Sequence, residues 1–312
     1  METDRVTSAD SDNSTRTLAI AALLAGATCI GTSALWVKVS ETGPVSTAFW
    51  RVFLALPFLW AWAHWASRSN DATTPSINPR GLLFAAGFFF AGDLAVWHWS
   101  IVLTSVANAT LLANLAPIFV TLAAWLIFRR APTALFLGGL ATALTGVVML
   151  IGGDFSHAGP NISKAMWGDL LGVVTAMFYA AYQLTVTKLR GTVNTARIMA
   201  VTSGVTAAIL LPMAWFSSET FVPASAEGWG KLIGLALVSL VAGQSLIAYA
   251  MAHLPATVSS VGLLLQPVMA GLFAWILLGE TLGPVAIAGA LLVLIGIRVS
   301  TYAELKNINK IK

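Results

Sequence analysis

Ten long apolar segments constrain the fold of this chain more than any other feature of its sequence. They run over residues 18–39, 44–66, 81–103, 105–128, 133–151, 167–188, 194–216, 229–252, 256–278 and 284–303. Each is close to the roughly 20 residues that a helix needs to cross the hydrocarbon core of a bilayer. Because lipid offers backbone amides no hydrogen-bond partner, segments this long and continuous must be helices. We therefore predict an all-α polytopic membrane protein with ten transmembrane helices.

The charged residues agree with a membrane location and predict an orientation. Only 10% of the 312 residues are charged, whereas soluble proteins carry about 25%. If the N-terminus is cytoplasmic, the 17 Lys and Arg residues fall on or near the inner side, except Lys38, Arg51, Lys164 and Lys231. Basic residues favour the cytoplasmic side. We expect both termini in the cytoplasm and the chain in the inner (plasma) membrane.

Two stretches 150 residues apart carry a Pro and a Trp at the same places. Residues 116–125 read APIFVTLAAW, and residues 266–275 read QPVMAGLFAW. A shift of 150 residues, without a gap, matches the following residues with identical ones: Leu115, Pro117, Leu122, Ala124, Trp125, Gly139, Leu144 and Gly146. Each unit then holds five helices, an odd number, so the second unit enters the membrane from the opposite side. We predict two inverted five-helix repeats, 18–151 and 167–303.

Three further segments flank or join the two repeats. Residues 1–17 are polar and are expected to form a disordered cytoplasmic tail, 152–166 an external linker, and 304–312 a second cytoplasmic tail. The first apolar segment lacks the short apolar region of a cleaved signal, so we expect it to be retained. Arg130 after the fourth helix and Glu280 after the ninth occupy equivalent positions, and their opposite charges favour opposite compartments.

The two repeats resemble the EamA family of the drug/metabolite transporter superfamily. The resemblance rests on residues 253–297, with a mid-helix Pro, LLGE at 277–280 and a closing Gly-bearing helix, and on residues 104–149, which carry IFRR where the family often has Gly-Glu. It implies a ten-helix secondary transporter in which helices one, three, four, six, eight and nine surround a cavity. Relatives are implied to carry amino acids, including aromatic ones, or drugs, sugars and nucleotide-linked metabolites.

Asp93 and His98 are the candidate proton-linked residues. Asp93 lies near the middle of the third apolar segment, and His98 lies further along it. Polar groups at membrane depth are costly and are therefore candidates for a transport pathway. In one interpretation Asp93 or His98 exchanges a proton, because a carboxyl removed from water is protonated more readily. In the other, Asp93 is a hydrogen-bonded carboxyl that only joins two helices.

Pro117 and Pro267 are candidate gating kinks. A proline in a helix leaves the carbonyl four residues earlier without its usual donor and permits a bend. The alternative is a fixed and well-packed kink. Asn114 lies beside Pro117, on one helix stripe with Thr121.

Other polar and aromatic residues of the apolar segments predict a substrate-binding cavity. An aromatic ring beside an amide suits a ligand with an apolar body and a polar head. The alternative is hydrogen bonding between helices. Lys38 and Arg51 lie near outer helix ends, where snorkelling to the interface is favoured over binding of a substrate carboxylate. The predicted binding residues are Trp97, His98, Asn114, Tyr179, Tyr182, Gln183, Gln244, Tyr249 and Gln266.

Several classes of function are disfavoured by what the sequence lacks. It has no GxxxxGK[ST] loop for nucleotide hydrolysis, no HExxH or Cys/His cluster for a metal, and no basic patch interleaved with aromatics for nucleic acid. We expect no enzyme activity and no cofactor, and a monomer or homodimer in the lipid bilayer. The favoured function is a secondary transporter of small amphiphilic metabolites that exports amino acids by alternating access. The alternatives are a multidrug efflux transporter and a gated channel.

Overall fold

A computed structural model describes residues 2–68, 79–104, 106–129, 131–151, 162–279 and 283–311. Throughout these ranges the chain forms helices, turns and short loops, and no β-strand. The helices are α1 (Glu2–Gly31), α2 (Ser33–Lys38), α3 (Pro44–Phe53), α4 (Leu56–Arg68), α5 (Arg80–Leu103), α6 (Val106–Ala113), α7 (Ala116–Phe128), α8 (Ala134–Ile151), α9 (Ile162–Arg190), α10 (Thr195–Phe216), α11 (Ala226–Leu235), a π-helix (Ala236–Gln244), α12 (Ser245–Ala250), α13 (Ala256–Gly262), α14 (Leu265–Leu278) and α15 (Pro284–Ile311).

Within the described ranges, these helices make up ten spans that are long and apolar enough to cross a membrane. The prediction of an all-helical, multi-pass protein is thereby confirmed. Span 3 (Arg80–Ile101), span 5 (Ala134–Ile151), span 6 (Lys164–Arg190), span 7 (Thr195–Phe216) and span 10 (Pro284–Asn307) each belong to one helix. The others are divided into shorter helices: span 1 (Ser14–Lys38), span 2 (Pro44–Ser67), span 4 (Ala109–Ile127), span 8 (Ala226–Ala250) and span 9 (Ala256–Leu277).

The N-terminal end of the chain differs from the prediction of a disordered tail. Helix α1 begins at Glu2, so residues 2–17, expected to be disordered, are helical in the structure. Residues 2–17 contain no Gly or Pro that would end a helix. Helix α15 likewise continues past residue 303 to Ile311.

Large apolar side chains cover the outside of the bundle, as a lipid environment requires. Trp125 and Trp275, which the 150-residue shift makes equivalent, are 49% and 52% exposed. The interior is built mainly from Ala, Leu, Val and Ile, with buried Phe49 and Phe90 among them. Because equivalent residues of the two repeats face the same environment, the shared Trp is a lipid-facing residue in both.

Spans 5 and 10 pack together through glycines that leave no space for side chains. A Cβ atom added to Gly146 would lie 2.5 Å from the carbonyl oxygen of Gly289, and one added to Gly289 would lie 2.7 Å from that of Gly146. One added to Gly296 would lie 2.6 Å from the carbonyl oxygen of Gly139. The two spans therefore run antiparallel, with Gly139 opposite Gly296 and Gly146 opposite Gly289.

Spans 4 and 9 are both interrupted just before their shared proline. Asn114 and Leu115 form a turn between α6 and α7, and Leu263 and Leu264 form one between α13 and α14. Pro117 and Pro267 follow within the first turn of the second helix in each span. The bends predicted from the prolines are thus present, because a proline nitrogen cannot donate the hydrogen bond that would continue the helix.

Candidate functional site

Six polar side chains from five different spans lie close together inside the bundle. Charge interactions link Arg51 to Asp93 and link both of them to the hydroxyl groups of Tyr179 and Tyr182. At 1.5 Å per residue, Asp93 lies about 20 Å along α5 from Arg80, well inside the span. We call these residues the central cluster: Arg51, Asp93, Tyr179, Tyr182, Gln244 and Gln266.

Arg51 and Asp93 form the charged half of the central cluster. Both side chains are partly buried. The Nε atom of Arg51 is buried and has no hydrogen-bond partner in the described part of the chain. A buried charge is costly unless an opposite charge or polar groups compensate it, and Asp93 is the acidic residue whose charge interacts with Arg51. The unused Nε–H leaves donor capacity for a ligand.

Two tyrosine–glutamine hydrogen bonds form the neutral half of the central cluster. The amide nitrogen of Gln244 donates to the Tyr182 hydroxyl at 3.0 Å, and that of Gln266 donates to the Tyr179 hydroxyl at 3.3 Å. The two tyrosine rings are nearly parallel at 9°, and Phe90 stacks on Tyr182 with ring centroids 4.9 Å apart. These contacts fix both hydroxyl groups between spans 6, 8 and 9 and surround them with aromatic surface.

His98 and Trp97 lie farther along span 3 than Asp93. The His98 ring is 2% exposed, and its Nδ1 contacts the carbonyl oxygen of Leu94 in the same helix. Its Nε2 is buried and has no hydrogen-bond partner among the described residues. Trp97 packs edge-on against it at 5.0 Å between ring centroids. His98 therefore sits in a dry, aromatic setting and keeps one ring nitrogen available.

Two of the predicted binding residues, Asn114 and Tyr249, have their described contacts away from the central cluster, and a third, Gln183, has no side-chain hydrogen bond. Gln183 is fully buried, and neither its amide oxygen nor its nitrogen has a partner in the described ranges. Asn114 donates to the carbonyl oxygen of Thr110 in its own helix at 2.7 Å, next to the break in span 4. Tyr249 packs against His253, with ring centroids 4.9 Å apart. Asn114 thus stabilises the kink locally, while Tyr249 belongs to the end of span 8.

Arg51 is the member of the central cluster that the sequence interpretation placed wrongly. We expected it to snorkel to the interface, but its Nε is buried in the bundle and its charge interacts with Asp93 and the two tyrosines. The sequence did contain a feature that pointed to the inward position. Arg51 and Asp93 have opposite charges and lie inside consecutive predicted helices. That signal remained ambiguous because Arg51 lies only seven residues after Pro44, at a depth from which a long side chain can still reach water.

A second polar arrangement ties the two halves of the chain together at one end of the bundle. Glu41, between spans 1 and 2, accepts hydrogen bonds from the amides of Ala224 and Ser225 at 2.9 and 3.0 Å, and from the Ser225 hydroxyl. Glu219, between spans 7 and 8, accepts from the Val45 amide at 3.0 Å. We call these five residues the carboxylate clamp. Glu219 sits where the first backbone amides of α3 point, a favourable place for negative charge, and Glu41 binds the two amides just before α11.

The described residues contain no group of three or more His, Cys, Asp or Glu side chains that could hold a metal ion. The central cluster combines one basic group, one acidic group and aromatic rings, which suits it instead to an organic molecule. Such a molecule would carry both charges and an apolar body.

Comparison with known proteins assigns a family to this architecture. The model of the EamA-like transporter family matches residues 17–152 and again residues 166–302. The pseudopaline exporter CntI of Pseudomonas aeruginosa is 26% identical over 69% of this chain and 72% of that protein. An uncharacterized transporter of Archaeoglobus fulgidus is 24% identical over 87% of this chain and 93% of that protein.

A solved crystal structure shares the fold. It superposes with a TM-score of 0.75 and 15% sequence identity, covering 93% of this chain and 97% of that chain. At this identity the similarity concerns the arrangement of the helices alone.

Proposed function

This chain belongs to the EamA-like transporter family, and from that premise we propose that it is a secondary transporter that exports amino acids, including aromatic ones. In this proposal the two repeats are inverted, both termini are cytoplasmic, and the central cluster is exposed to the two sides of the membrane in turn. The transported molecule crosses without nucleotide hydrolysis. The membrane-transporter class is common to the family, whereas the substrate and mechanism are our inference.

The facing charges of Arg51 and Asp93 are the observation that carries the substrate proposal. A free amino acid has one carboxylate and one ammonium group. Arg51 would bind the carboxylate, for which its unused Nε–H is a suitable donor, and Asp93 would bind the ammonium group. Tyr179 and Tyr182 would contact an apolar or aromatic side chain. The substrate would thus replace the charge compensation that Arg51 and Asp93 give each other when the site is empty.

Asp93 is also the proposed site of proton coupling, with His98 as the second candidate. When Asp93 is protonated, its attraction for an ammonium group is lost, so proton binding and substrate binding would compete. Such competition is a direct route to exchange of a proton for a substrate across the membrane. His98 would serve as a relay through its unpartnered Nε2.

The packing of spans 5 and 10 supports the inverted repeats. Under the 150-residue shift, Gly139 is equivalent to Gly289 and Gly146 is equivalent to Gly296. Gly139 packs against Gly296, and Gly146 packs against Gly289. Such reciprocal exchange of partners is what a two-fold axis between the spans produces. Because equivalent spans run antiparallel, an axis in the membrane plane relates them, which is the arrangement that alternating access uses.

The direction of transport rests on a relative. The protein from Pseudomonas aeruginosa is named as an exporter of pseudopaline, and it aligns over 72% of its own length. We infer the direction of transport from this relative, and we infer the amino-acid substrate from the central cluster.

Transport assays with purified protein test the substrate and the coupling. Liposomes containing the full chain are given labelled amino acids, with and without a pH gradient, and the assay is repeated with Asp93→Asn and His98→Ala. We expect saturable counterflow that the gradient accelerates, and loss of the gradient effect in Asp93→Asn. Counterflow that stays equally pH-dependent in both variants contradicts proton coupling through these residues. Transport of cationic drugs but not of amino acids would indicate a multidrug transporter, and unitary currents a channel.

Labelling from the two sides of the membrane tests the topology. Arg130→Cys and Glu280→Cys are made separately with Cys29→Ala, which removes the single native cysteine. Both positions lie outside the described ranges, at equivalent points after spans 4 and 9. We expect an impermeant thiol reagent to label position 280 from outside and position 130 only after the membrane is opened. Labelling of both from the same side contradicts the inverted repeats.

A further inference from the structure

A groove of about 850 Å³ runs along the lipid-facing side of the bundle between spans 1, 9 and 10, away from the central cluster. Its floor is made by residues of the packed interior, among them Leu23 and Val258, which are 2% and 1% exposed. Its rim is open, since Leu24 and Leu294 are 36% and 45% exposed. A Cβ atom added to Gly262 would lie 2.5 Å from a methyl carbon of Leu23, so the floor is tightly closed. The groove therefore opens sideways to lipid rather than inward.

Two basic side chains line the groove at its polar end. Arg298 and Lys306 lie one helical turn before and after Tyr302 on α15, so all three share one face. The Arg298 guanidinium carbon is 5.9 Å from the centre of the Tyr302 ring, and the Lys306 ammonium nitrogen is 5.5 Å from it. Contact with the ring face favours a cation at both sites. Both basic residues are exposed, so a molecule in the membrane can reach them.

Lys306 lies beyond the length of helix that crosses the hydrocarbon core, and Arg298 lies near the end of that length, from which a long side chain reaches the headgroups. At 1.5 Å per residue, Arg298 is about 21 Å and Lys306 about 33 Å along α15 from Pro284, compared with roughly 30 Å for the hydrocarbon core. Among the described residues that line the groove, none is acidic. Glu304, in the same helical turns, accepts a hydrogen bond from the Thr257 hydroxyl at 3.1 Å instead. The groove is thus apolar along its length and positive at one end.

We propose that this groove is a binding site for one anionic phospholipid. The phosphate group lies between Arg298 and Lys306, and an acyl chain lies along the apolar residues of spans 1, 9 and 10. A neutral lipid would satisfy the apolar part equally well, but it would leave two cations without a net negative partner. The site is independent of the substrate and of the direction of transport.

Native mass spectrometry of the full chain tests the site. Protein is equilibrated in mixed phosphatidylglycerol and phosphatidylcholine, and the retained lipid is measured. The test variant is Arg298→Gln with Lys306→Gln. The control, Lys164→Gln with Arg197→Gln, removes two exposed cations that do not line the groove. A third variant, Leu294→Trp, fills the groove and leaves both cations in place.

We expect the wild type to retain one phosphatidylglycerol in preference to phosphatidylcholine, and the retention to weaken with added salt. A cation near the membrane surface contributes about fivefold to the affinity for an anionic lipid, so the test variant should lose roughly 30-fold. The control should keep its lipid, and Leu294→Trp should lose it. Equal retention of the two lipids by the wild type overturns the proposal, as does an equal loss in the control. The wild-type and Leu294→Trp measurements decide the question if the double variant does not fold.

Discussion

Gly146 of span 5 and Gly289 of span 10 approach each other so closely that neither position has space for a Cβ atom. Each added Cβ would meet the other residue's carbonyl oxygen at 2.5 or 2.7 Å. The obstacle in both cases is backbone, which cannot rotate away as the end of a flexible side chain can. Close approach of two helix backbones through small residues is a common basis of helix association in membranes. We infer that this contact holds the outermost spans of the two repeats together.

Substitution of Gly146 by Ala should destabilise the protein. Alanine is intrinsically a better helix former than glycine by about 1 kcal/mol, but the clash with Gly289 should outweigh that gain and cost about 1–3 kcal/mol net. The matched control is Gly138→Ala, on the same helix, where an added Cβ meets nothing within 4 Å. Thermal unfolding in detergent measures both. A melting temperature of Gly146→Ala at or above that of Gly138→Ala would show that the spans can separate freely.

Arg51 and Asp93 should be coupled in stability as well as in transport. Arg51→Gln leaves the Asp93 carboxylate without its compensating charge, and Asp93→Asn does the same to Arg51. Each single variant should therefore unfold more easily, by about 1–3 kcal/mol, because a partly buried charge loses the opposite charge that interacts with it. The double variant should be more stable than the sum of the single changes predicts, while all three should transport zwitterionic amino acids more weakly than wild type.

Unfolding of the four proteins in a double-mutant cycle measures this coupling. Purely additive effects would mean that the two charges act independently. Conversely, if the double variant regains transport of uncharged analogues only, the pair recognises the charges of the substrate.

The carboxylate clamp should make stability depend on pH in the acidic range. The hydroxyl of Ser225, and then the Ser225 and Ala224 amides, stabilise the ionised form and lower the pKa of Glu41 below its ordinary value of 4.5, although partial desolvation opposes them. Because the pKa is lower in the folded protein than in the unfolded chain, this stabilisation is complete above about pH 4.5. It is lost as the pH falls through the lowered pKa.

Glu41→Gln should therefore be less stable than wild type at pH 7, and the difference should shrink at pH 4 and below. Melting temperatures measured across this range provide the test. Glu227→Gln, which removes an exposed carboxylate paired with Lys231 at 2.8 Å, is the control and should change little at any pH. A constant difference between wild type and Glu41→Gln from pH 7 to pH 3 would contradict the contribution of the ionised clamp.

The number and limits of the spans could be predicted from the sequence, because the length of an apolar segment and the need to satisfy backbone hydrogen bonds determine them. The same holds for the breaks in spans 4 and 9, where a proline nitrogen has no hydrogen to donate. The helical state of residues 2–17 could not be predicted in this way. Their polar composition indicates only that they bury little apolar surface, and not which backbone conformation they adopt.

The composition of the central cluster was only partly accessible from sequence. Asp93, Tyr179 and Gln266 stand out as polar groups in apolar helices, so position along the chain is enough to select them. Whether Arg51 snorkels or turns inward depends on which residue of another span faces it, and one-dimensional patterns do not contain that information. The carboxylate clamp is a second example, because Glu41 and Ser225 are 184 residues apart. Their contact follows from how the two halves assemble.

Pro117 and Pro267 should control the rate of transport if the breaks in spans 4 and 9 act as hinges. Each proline removes the amide that would donate to the carbonyl four residues earlier, of Ala113 or of Leu263, and the Leu263 carbonyl accepts from the Gln266 amide at 3.0 Å instead. Pro117→Ala and Pro267→Ala restore that donor and allow a straighter, stiffer span. We expect either variant to bind substrate with unchanged affinity and to transport it on the order of tenfold more slowly, which corresponds to about 1.4 kcal/mol in the barrier.

Pro212→Ala, which alters a proline inside the continuous helix α10, is the matched control and should transport at the wild-type rate. Binding measured by calorimetry and counterflow measured in liposomes separate the two effects. If both hinge variants transport normally and only unfold at a higher temperature, the kinks are static features of the packing, and the movement between the two access states has to arise elsewhere in the bundle.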